Sequence, residues 1–290
     1  MQPGSRFREA VANERPLKVV GVFHPAVAML VQRAGFKAAY LSGSGVAAAY
    51  GLPDLGMISM TEVVAEARRI TAAVPNLPLL VDVDTGFGSE LNVERCVREL
   101  IHAGAAACHI EDQEGAKRCG HRPGKRVVPA AEMVARVRAA AAARREASPA
   151  FYVIARTDAF AVEGLDETIE RCKRYADAGA DAIFPEAIVD LEHYAKIAEA
   201  VDIPVLANIT EFGKTPIYTQ QQLHSAGVRI VLYPLTLFRV AMGAAARAVH
   251  QLQVDGTQEG LLETMMTRQQ FYDLIHYAEY EERLDQRGEE

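Results

Sequence analysis

The sequence has no long apolar run, few cysteines and no excess of basic residues. No stretch approaches the roughly 20 apolar residues that cross a bilayer, which excludes a membrane-spanning helix. Acidic residues occur early and no apolar h-region follows, so we expect no signal peptide. The four cysteines, Cys96, Cys108, Cys119 and Cys172, do not have the spacing of metal ligands. This usage is typical of a protein in the reducing cytoplasm.

The chain carries 38 acidic residues against 31 Lys and Arg, for a formal net charge of -7. A nucleic-acid-binding surface normally shows a basic excess, so we expect no nucleic-acid partner. A local basic pocket for a small acid is compatible with this balance. With 290 residues, half of them apolar, the chain is long enough for one large core.

Apolar runs alternate with helical segments along the chain. Eight runs predict buried strands, at residues 17–23, 36–41, 78–84, 105–110, 151–157, 180–184, 204–209 and 228–233. Seven stretches predict helices, at residues 58–73, 91–103, 130–145, 166–178, 190–201, 219–226 and 235–252. Four strands follow an Ala-Gly pair, the pattern of a helix that ends in a C′ glycine. This alternation predicts a (β/α)8 TIM barrel of the α/β class.

An open, doubly wound sheet is the alternative fold. Only the sequence Gly43-Ser44-Gly45, after the second predicted strand, favours it. The first dinucleotide-binding turn follows the first strand in such folds, and no acidic ribose-binding residue stands at the right distance. The barrel therefore explains the pattern better.

The best candidate for chemistry is the thiol of Cys119. It lies in residues 117–123, Lys-Arg-Cys-Gly-His-Arg-Pro, which show no helix or strand pattern. Neighbouring cations stabilise a thiolate and lower its pKa, so we expect these residues to tune Cys119 as an acid or base. His121, two residues away, is a candidate for that role. The alternative is an exposed basic loop with an incidental cysteine.

Acidic side chains end several predicted strands, where TIM barrels carry their active sites. Asp82 and Asp84 are two residues apart on one strand, so both point to the same side of the sheet. Oxygen ligands favour Mg²⁺ or Mn²⁺, with Asp54 and Glu111 as surrounding acids. The alternative is that one aspartate only caps the next helix. Glu186 on the same rim makes the metal site the better interpretation.

Arginines near the same rim predict a carboxylate substrate. Arg156 and Arg239 are suited to bidentate contacts with carboxylates, whereas His109 inside a strand is better explained as a structural hydrogen bonder. A divalent cation, several arginines and a thiol can stabilise an oxyanion and protonate a carbanion. There is no serine nucleophile motif or phosphate loop. The sequence thus predicts a lyase of the retro-aldol type that acts on a small polycarboxylate.

The sequence resembles the isocitrate lyase and phosphoenolpyruvate mutase superfamily over nearly its whole length. Within it, the likeness is greatest to the branch that cleaves 2-methylisocitrate to pyruvate and succinate. The matching stretches are residues 40–43 (Tyr-Leu-Ser-Gly), 51–56 (Gly-Leu-Pro-Asp-Leu-Gly), 80–88 (Leu-Val-Asp-Val-Asp-Thr-Gly-Phe-Gly), 109–113 (His-Ile-Glu-Asp-Gln), 115–123 (Gly-Ala-Lys-Arg-Cys-Gly-His-Arg-Pro), 155–159 (Ala-Arg-Thr-Asp-Ala), 184–187 (Phe-Pro-Glu-Ala) and 206–213 (Leu-Ala-Asn-Ile-Thr-Glu-Phe-Gly).

The resemblance implies a role for each matching residue. Asp82 and Asp84 would bind Mg²⁺, directly or through water, with Asp54 and Glu111 around them. Cys119 would protonate the departing succinate. The remaining catalytic candidates are Arg156, His121 and Tyr40, the last as the base that takes the C2 hydroxyl proton. The substrate would contact Ser42, Gly43, Ser44, Cys119, Gly120, Arg156, Glu186, Asn208, Ile209, Thr210, Arg239 and Arg268. Ser44 replaces a glycine that is usual in the family.

The resemblance also bears on which member this is. Mutases and decarboxylases of the superfamily generally lack the thiol loop, and true isocitrate lyases are longer, with a tryptophan that this chain lacks. Phe184, Leu232 and Pro234 would form an apolar niche for the extra methyl group. Other oxyacid lyases or decarboxylases, acting on isocitrate, dimethylmalate or oxaloacetate, and a non-catalytic ligand-binding protein are the alternatives.

The family further implies a homotetramer in which the last helical segment crosses to a neighbouring subunit. We expect residues 1–256 to form the catalytic barrel and residues 257–290 to form that helical segment, as part of the same domain.

Overall fold

The computed structural model describes residues 1–288 and shows eight parallel strands closed into a barrel. The strands are β1 (Leu17–Gly21), β2 (Ala38–Leu41), β3 (Leu79–Asp82), β4 (Ala107–Glu111), β5 (Tyr152–Thr157), β6 (Ala182–Pro185), β7 (Val205–Asn208) and β8 (Val228–Tyr233). Each strand pairs with the next in sequence, and β8 pairs with β1 in register Val19 to Leu232. The predicted TIM barrel is confirmed and the doubly wound sheet is excluded.

Helices separate the strands and follow the last one. They are α1 (Pro3–Asn13), α2 (Pro25–Arg33), α3 (Gly43–Ala49), α4 (Met60–Ala73), α5 (Glu90–His102), α6 (Ala130–Ala147), α7 (Phe160–Glu163), α8 (Leu165–Asp177), α9 (Leu191–Ala200), α10 (Gln220–Ser225), α11 (Thr236–Asp255), α12 (Arg268–Leu274) and α13 (Tyr277–Gly288), with a 3-10 helix at Glu259–Thr264. All seven predicted helices are present. The sequence did not predict α1, α3 or α7.

The predicted C′ glycines end helices as expected. Gly35, Gly104, Gly179 and Gly227 have φ values between 81° and 105°, a left-handed conformation that glycine adopts without a steric penalty. The turn at Gly104 is representative: Gly104 N–H donates to Ile101 O and Ala105 N–H donates to Leu100 O, both at 3.0 Å. These turns direct the chain from each helix back into a buried strand.

The core has two layers, one inside the barrel and one between the strands and the helices. Helix α1 closes the amino end of the inner layer, where Phe7 packs against Tyr152 with ring centroids 5.1 Å apart. Tyr40 and Phe184 are buried in the same inner layer farther along the strands. With its amino end filled by apolar side chains, the barrel leaves its carboxyl end for polar chemistry.

Helix α11 contacts the barrel near its start, through Leu237, Phe238 and Arg239, and no residue along it is buried. Its exposed apolar side chains include Val240 and Val249, and Phe271 and Leu284 continue the pattern in α12 and α13. Only Leu274 of the last two helices is identified as buried. Within residues 1–288, no helix is both long and apolar enough to span a membrane.

Candidate active site

A cavity of about 360 Å³ opens at the carboxyl ends of the strands. It contains most of the predicted site residues. Those that line it are Tyr40, Ser42, Ser44, Asp54, Asp82, Cys119, Gly120, His121, Arg156, Glu186, Asn208, Thr210 and Arg239. Its volume suits a small ligand.

Arg156, at the end of β5, is surrounded by carboxylates. Its Nε lies 3.1 Å from Glu111 Oε2 and 2.9 Å from Asp158 Oδ2, and its Nη2 lies 3.3 Å from Glu186 Oε2. Burial alone would lower the pKa of Arg156, but these three acids outweigh it and raise the pKa. The guanidinium also lies over the Phe184 ring, 5.1 Å from its centroid. Arg156 is therefore a fixed, permanently charged group at the cavity floor.

A buried network that the sequence did not reveal holds Arg156 in place. Asp158 accepts hydrogen bonds from Arg156 and, at 2.6 Å, from Lys125 Nζ. The backbone N–H of Asp158 donates to Asp112 Oδ1 at 2.9 Å. Asp112 also accepts from Thr157 and Tyr175 at 2.7 and 2.8 Å. Because every member is paired, the network fixes the end of β5.

Asp82 and Asp84 bring carboxylate oxygens to one point beside Gly43. The Gly43 N–H donates to Asp82 Oδ2 at 3.0 Å, and a Cβ at Gly43 would lie 3.1 Å from both Asp82 Oδ2 and Asp84 Oδ1. Burial would raise the pKa of Asp82, but charges on His109, Lys117 and Arg156 lower it to about 2. Burial, and then the charge of Asp82, raise the pKa of Asp84 to about 6.

This arrangement fits a hard cation. Asp84 Oδ1 accepts no well-aligned hydrogen bond although it is buried, and the available donors are all oxygens. Within residues 1–288, no three His, Cys, Asp or Glu side chains form a complete metal-binding cluster. Mg²⁺ is commonly held by one or two carboxylates and several waters, so two aspartates are enough for it.

Lys117 is a site residue that the sequence did not place correctly. Rather than facing Cys119, its ammonium contacts Asp54 and lies 2.7 Å from Asp84 Oδ1. Burial would lower the pKa of Lys117, but Asp84, Glu111 and the other acids outweigh it and raise the pKa. Its spacing from the cysteine gave no signal of this contact, because both residues lie in an irregular loop.

Tyr40 and His109 form a buried pair beside Asp82. The Tyr40 hydroxyl lies 2.8 Å from His109 Nε2 and 3.2 Å from Asp82 Oδ2. Burial lowers the pKa of His109 to about 4, so its imidazole is neutral at neutral pH. Burial and the charge of Asp82 raise the pKa of Tyr40. A protonated phenol opposes the predicted role of Tyr40 as a base and favours a hydrogen-bond donor. The structural role predicted for His109 fits its position.

The cysteine loop, residues 114–126, covers the cavity. Its ends are joined by a hydrogen bond from Glu114 N to Arg126 O and by a bridge between Gln113 and Val127. Gln113 also pairs with the backbone of Arg118 through both amide atoms, at 2.8 and 3.0 Å. The loop is thereby fixed at its base while residues 119–122 line the cavity.

The expectation that neighbouring cations lower the pKa of the Cys119 thiol is wrong. The cations beside it in sequence do not lower its pKa; burial raises the pKa of the Cys119 thiol and outweighs the contact with the His121 backbone. Lys117 is paired with carboxylates and Arg118 Nη1 donates to Pro123 O at 3.2 Å. A raised pKa keeps the thiol protonated at neutral pH, which suits an acid better than a base.

His121 joins the loop to two other elements. Its Nε2 lies 3.1 Å from Glu186 Oε1, and its Nδ1 accepts from the Lys214 backbone N–H at 3.0 Å. Although burial opposes it, Arg156 and His121 lower the pKa of Glu186. The backbone at Gly120 is pressed on the same group, since a Cβ there would lie 2.4 Å from Glu186 Cγ. The loop therefore lies directly on the carboxylate and guanidinium at the cavity floor.

The loop after β7 supplies the rest of the wall. Arg239 donates to Thr210 Oγ1 at 3.1 Å and to Glu211 Oε2 at 2.6 Å, while Asn208 Nδ2 lies 3.2 Å from Glu186 Oε2. Glu211 and the exposed Phe212 also line the cavity, although the sequence analysis assigned them no role.

Several predicted residues do not line this cavity. Ile209 is buried in the core layer outside the strands, and Arg268 begins α12 as an exposed residue. Three other predicted residues do not line the cavity themselves but contact residues that do. Gly43 N and Asp84 N each lie 3.0 Å from a carboxylate oxygen of Asp82, and Glu111 contacts Arg156. Ile209 and Arg268 are therefore not part of the cavity within one chain, and their contacts with a substrate stay predictions.

Comparison with known proteins gives a consistent result. Residues 7–253 match the phosphoenolpyruvate phosphomutase family. A 2-methylisocitrate lyase of Escherichia coli (strain K12) is 53% identical over 98% of this chain and 95% of its own. A 2-methylisocitrate lyase of Aeropyrum pernix is 45% identical to this chain, and the match covers 97% of this chain and 90% of the length of that lyase.

Solved structures agree. A 2,3-dimethylmalate lyase, described as a member of the phosphoenolpyruvate mutase and isocitrate lyase superfamily, has a TM-score of 0.92 at 33% identity, covering 99% of this chain and 96% of its own. A phosphonopyruvate hydrolase in complex with oxalate and Mg²⁺ has a TM-score of 0.85 at 28% identity, covering 98% and 97%. The resemblance drawn from the sequence motifs is confirmed. The chain belongs to the phosphoenolpyruvate phosphomutase family, together with relatives named 2-methylisocitrate lyase.

Proposed function

We propose that this protein is a Mg²⁺-dependent lyase that cleaves 2-methylisocitrate to pyruvate and succinate. The observation that carries the proposal is the position of Cys119, a protonated thiol on a loop that lies directly on Arg156 and Glu186. Relatives of at least 45% identity carry the name of this activity. In the organism, this reaction would end a propionate-consuming methylcitrate cycle.

The cavity suits a tricarboxylate because its arginines, Arg156 and Arg239, pair with protein carboxylates. A carboxylate group of the substrate can take over part of this pairing. Arg156 is pre-oriented by Asp158, so little rotamer entropy is lost when it binds a substrate carboxylate. Arg239 also lines the cavity and pairs with Glu211. We assign these two guanidinium groups to two of the substrate carboxylates, with Asn208 and Thr210 as neutral donors.

The reaction requires two proton movements around one bond. The C2 hydroxyl loses its proton, the C2–C3 bond breaks to form the carbonyl of pyruvate, and the electron pair remains on C3. The Cys119 thiol then donates its proton to C3, which yields succinate and a thiolate. Tyr40, whose phenol stays protonated, donates a hydrogen bond at the cavity floor. We assign the role of the base that takes the C2 hydroxyl proton to Asp82, Asp84 or a water that they hold.

Mg²⁺, and Mn²⁺ as a substitute, would be held by Asp82 and Asp84 with Asp54 and Glu111 nearby. When bound, the ion supplies Lewis-acid stabilisation of the negative charge that develops on the substrate oxygens. Gly43 leaves the space beside both aspartates open, as its missing Cβ would lie 3.1 Å from each.

The choice of substrate depends on the apolar part of the cavity. Phe184 and Pro234 line it, and Leu232 is buried in the inner core beneath them. A niche for one methyl group discriminates by about 1 to 3 kcal/mol, so slow cleavage of isocitrate is expected.

Pyruvate release from a panel of acids tests the proposal. With Mg²⁺ present, purified protein should release pyruvate from 2-methylisocitrate and, more slowly, glyoxylate from isocitrate. It should leave oxaloacetate unchanged. Chelation should abolish turnover. Preferred turnover of oxaloacetate or dimethylmalate would assign the chain to another lyase, and ligand-induced thermal stabilisation without any turnover would indicate a binding protein.

We also propose a homotetramer in which α11 and residues 257–288 pack on a neighbouring subunit. The support is the absence of buried residues along α11 and an apolar cavity of about 670 Å³ between α2 and the start of α11. Such packing would carry Arg268 to another subunit's cavity. Deletion of residues 257–290 should then reduce the number of subunits in the assembly, as measured by light scattering. A monomeric full-length chain would contradict the assembly.

We place the protein in the reducing cytoplasm, since the thiol has to stay reduced.

A further inference from the structure

Lys117 is the buried cation of the cysteine loop to which the proposed reaction assigns no role. Its side chain is only 5% exposed. Its ammonium contacts Asp54 and lies 2.7 Å from Asp84 Oδ1. A Cβ at Gly56 would lie 3.5 Å from Lys117 Cγ, so the aliphatic part of the lysine packs closely against that turn.

The carboxylate that Lys117 contacts is one that a divalent cation would need. Asp84 Oδ1 and Asp82 Oδ2 both lie 3.1 Å from the position that a Cβ at Gly43 would take. An oxygen in contact with an ammonium group is less available to a metal ion, and the two cations repel each other. Lys117 and Mg²⁺ therefore compete for the same oxygen.

The structure provides a place for a displaced ammonium group. A separate cavity of about 480 Å³, the rear cavity, is lined by Asp84, and Lys117 lines both this cavity and the substrate cavity. Ser59, Thr61 and Asn92 line the rear cavity with polar groups. The lysine can thus leave Asp84 without entering an apolar environment, which would be costly.

Lys117 is also two residues from Cys119 in the same loop. Its ion pairs with Asp54 and Asp84 tie this part of the loop to the barrel, just as Lys125 ties the other part through Asp158. Loss of the Asp84 contact would weaken the first of these two ties and loosen the segment that carries the thiol, while the base of the loop stays joined.

We propose that Lys117 is an internal counter-ion that a divalent cation displaces from Asp84, and that this displacement loosens the cysteine loop around Cys119. Metal binding would in this way prepare the loop to admit substrate. The inference rests on the metal site of the proposed function, but its tests need neither substrate nor turnover.

Metal affinity gives the first test. Calorimetric titration of Mg²⁺ should show at least about tenfold tighter binding to Lys117→Met than to wild type, which is about 1.4 kcal/mol. Lys117→Arg keeps the charge and should bind as wild type does. Lys125→Met removes an equally buried lysine of the same loop that pairs with Asp158 instead, and should change affinity less. Equal or weaker binding by Lys117→Met would overturn the proposal.

Alkylation of Cys119 gives the second test, and its main measurement uses the wild-type protein. Cys96, Cys108 and Cys172 are at most 1% exposed, whereas Cys119 is only partly buried, so iodoacetamide should label Cys119 in the native protein. Mg²⁺ alone should raise the labelling rate of wild type several-fold, with a midpoint at the calorimetric Kd. Lys117→Met, where it folds, should label rapidly with or without Mg²⁺. A wild-type rate that Mg²⁺ leaves unchanged or lowers would refute the coupling.

Discussion

Replacement of Cys119 by alanine should remove the proton donor and leave substrate binding intact. The thiol is only partly buried, so its loss creates no closed core cavity, and we expect a change in unfolding free energy below about 1 kcal/mol. Arg156 keeps its contacts with Glu111, Asp158 and Glu186. Binding of the product succinate should therefore stay within a few-fold of wild type.

The loss of a positioned general acid lowers turnover by about 10²- to 10⁴-fold, and we expect kcat of Cys119→Ala to fall by that amount with little change in KM.

The rate of cleavage by the wild type should fall at high pH, where the Cys119 thiol loses its proton. Because burial raises the thiol pKa above its ordinary value of 9.0, the protonated donor persists through neutral pH. Its contribution to cleavage should be lost only as pH rises through that raised value.

A coupled assay of pyruvate release measures both effects. Cys96→Ala is the matched control, because Cys96 is a buried thiol in α5 away from the cavity, and it should keep the wild-type kcat. The reasoning fails if Cys119→Ala retains more than about a tenth of wild-type kcat, or if wild-type cleavage already declines as the pH is raised from 7 to 8 while the fold is intact.

Three further substitutions probe the surrounding network. Arg156→Lys should lower kcat/KM at least about 100-fold, because a lysine cannot pair with Glu111 and Glu186 together; activation by added guanidinium is a useful check, and near-normal kcat/KM would argue against the assignment. Asp84→Asn should weaken Mn²⁺ binding by about 10- to 100-fold in calorimetry, and unchanged affinity would place the ion elsewhere. Asp112→Ala should lower the free energy of unfolding in urea by roughly 3 to 5 kcal/mol, since it leaves buried hydrogen-bond donors unpaired. A loss below about 1 kcal/mol would show that water replaces the carboxylate.

The barrel was predictable because its signals are local. Each C′ glycine, such as Gly104, marks a helix end that only a left-handed residue suits, and each apolar run between such marks is long enough for one buried strand. Helix α3 was not predicted because Gly43 and Gly45 disfavour helices, although the close approach to Asp82 favours a glycine at its start. Helix α1 escaped because it is predominantly polar and buries only one face.

The site was predictable where its residues end strands and less so where they lie in loops. Asp82 and Arg156 follow from strand ends, which converge in any barrel. The partners of Lys117 and Lys125 do not follow, because an irregular loop can direct either lysine to any acid on the rim. The pKa of Cys119 was misjudged for the same reason: sequence shows neighbouring charges but not burial, and burial is the larger effect here.

The most direct test of the account is the identity and labelling of the products formed in D₂O. Wild-type protein with Mg²⁺ and 2-methylisocitrate should give pyruvate and succinate in equal amounts by NMR, with one deuterium at the former C3 of each succinate, donated through the exchanged Cys119 thiol. Products other than this pair, or equally fast formation of deuterated succinate by Cys119→Ala, would contradict the central claim.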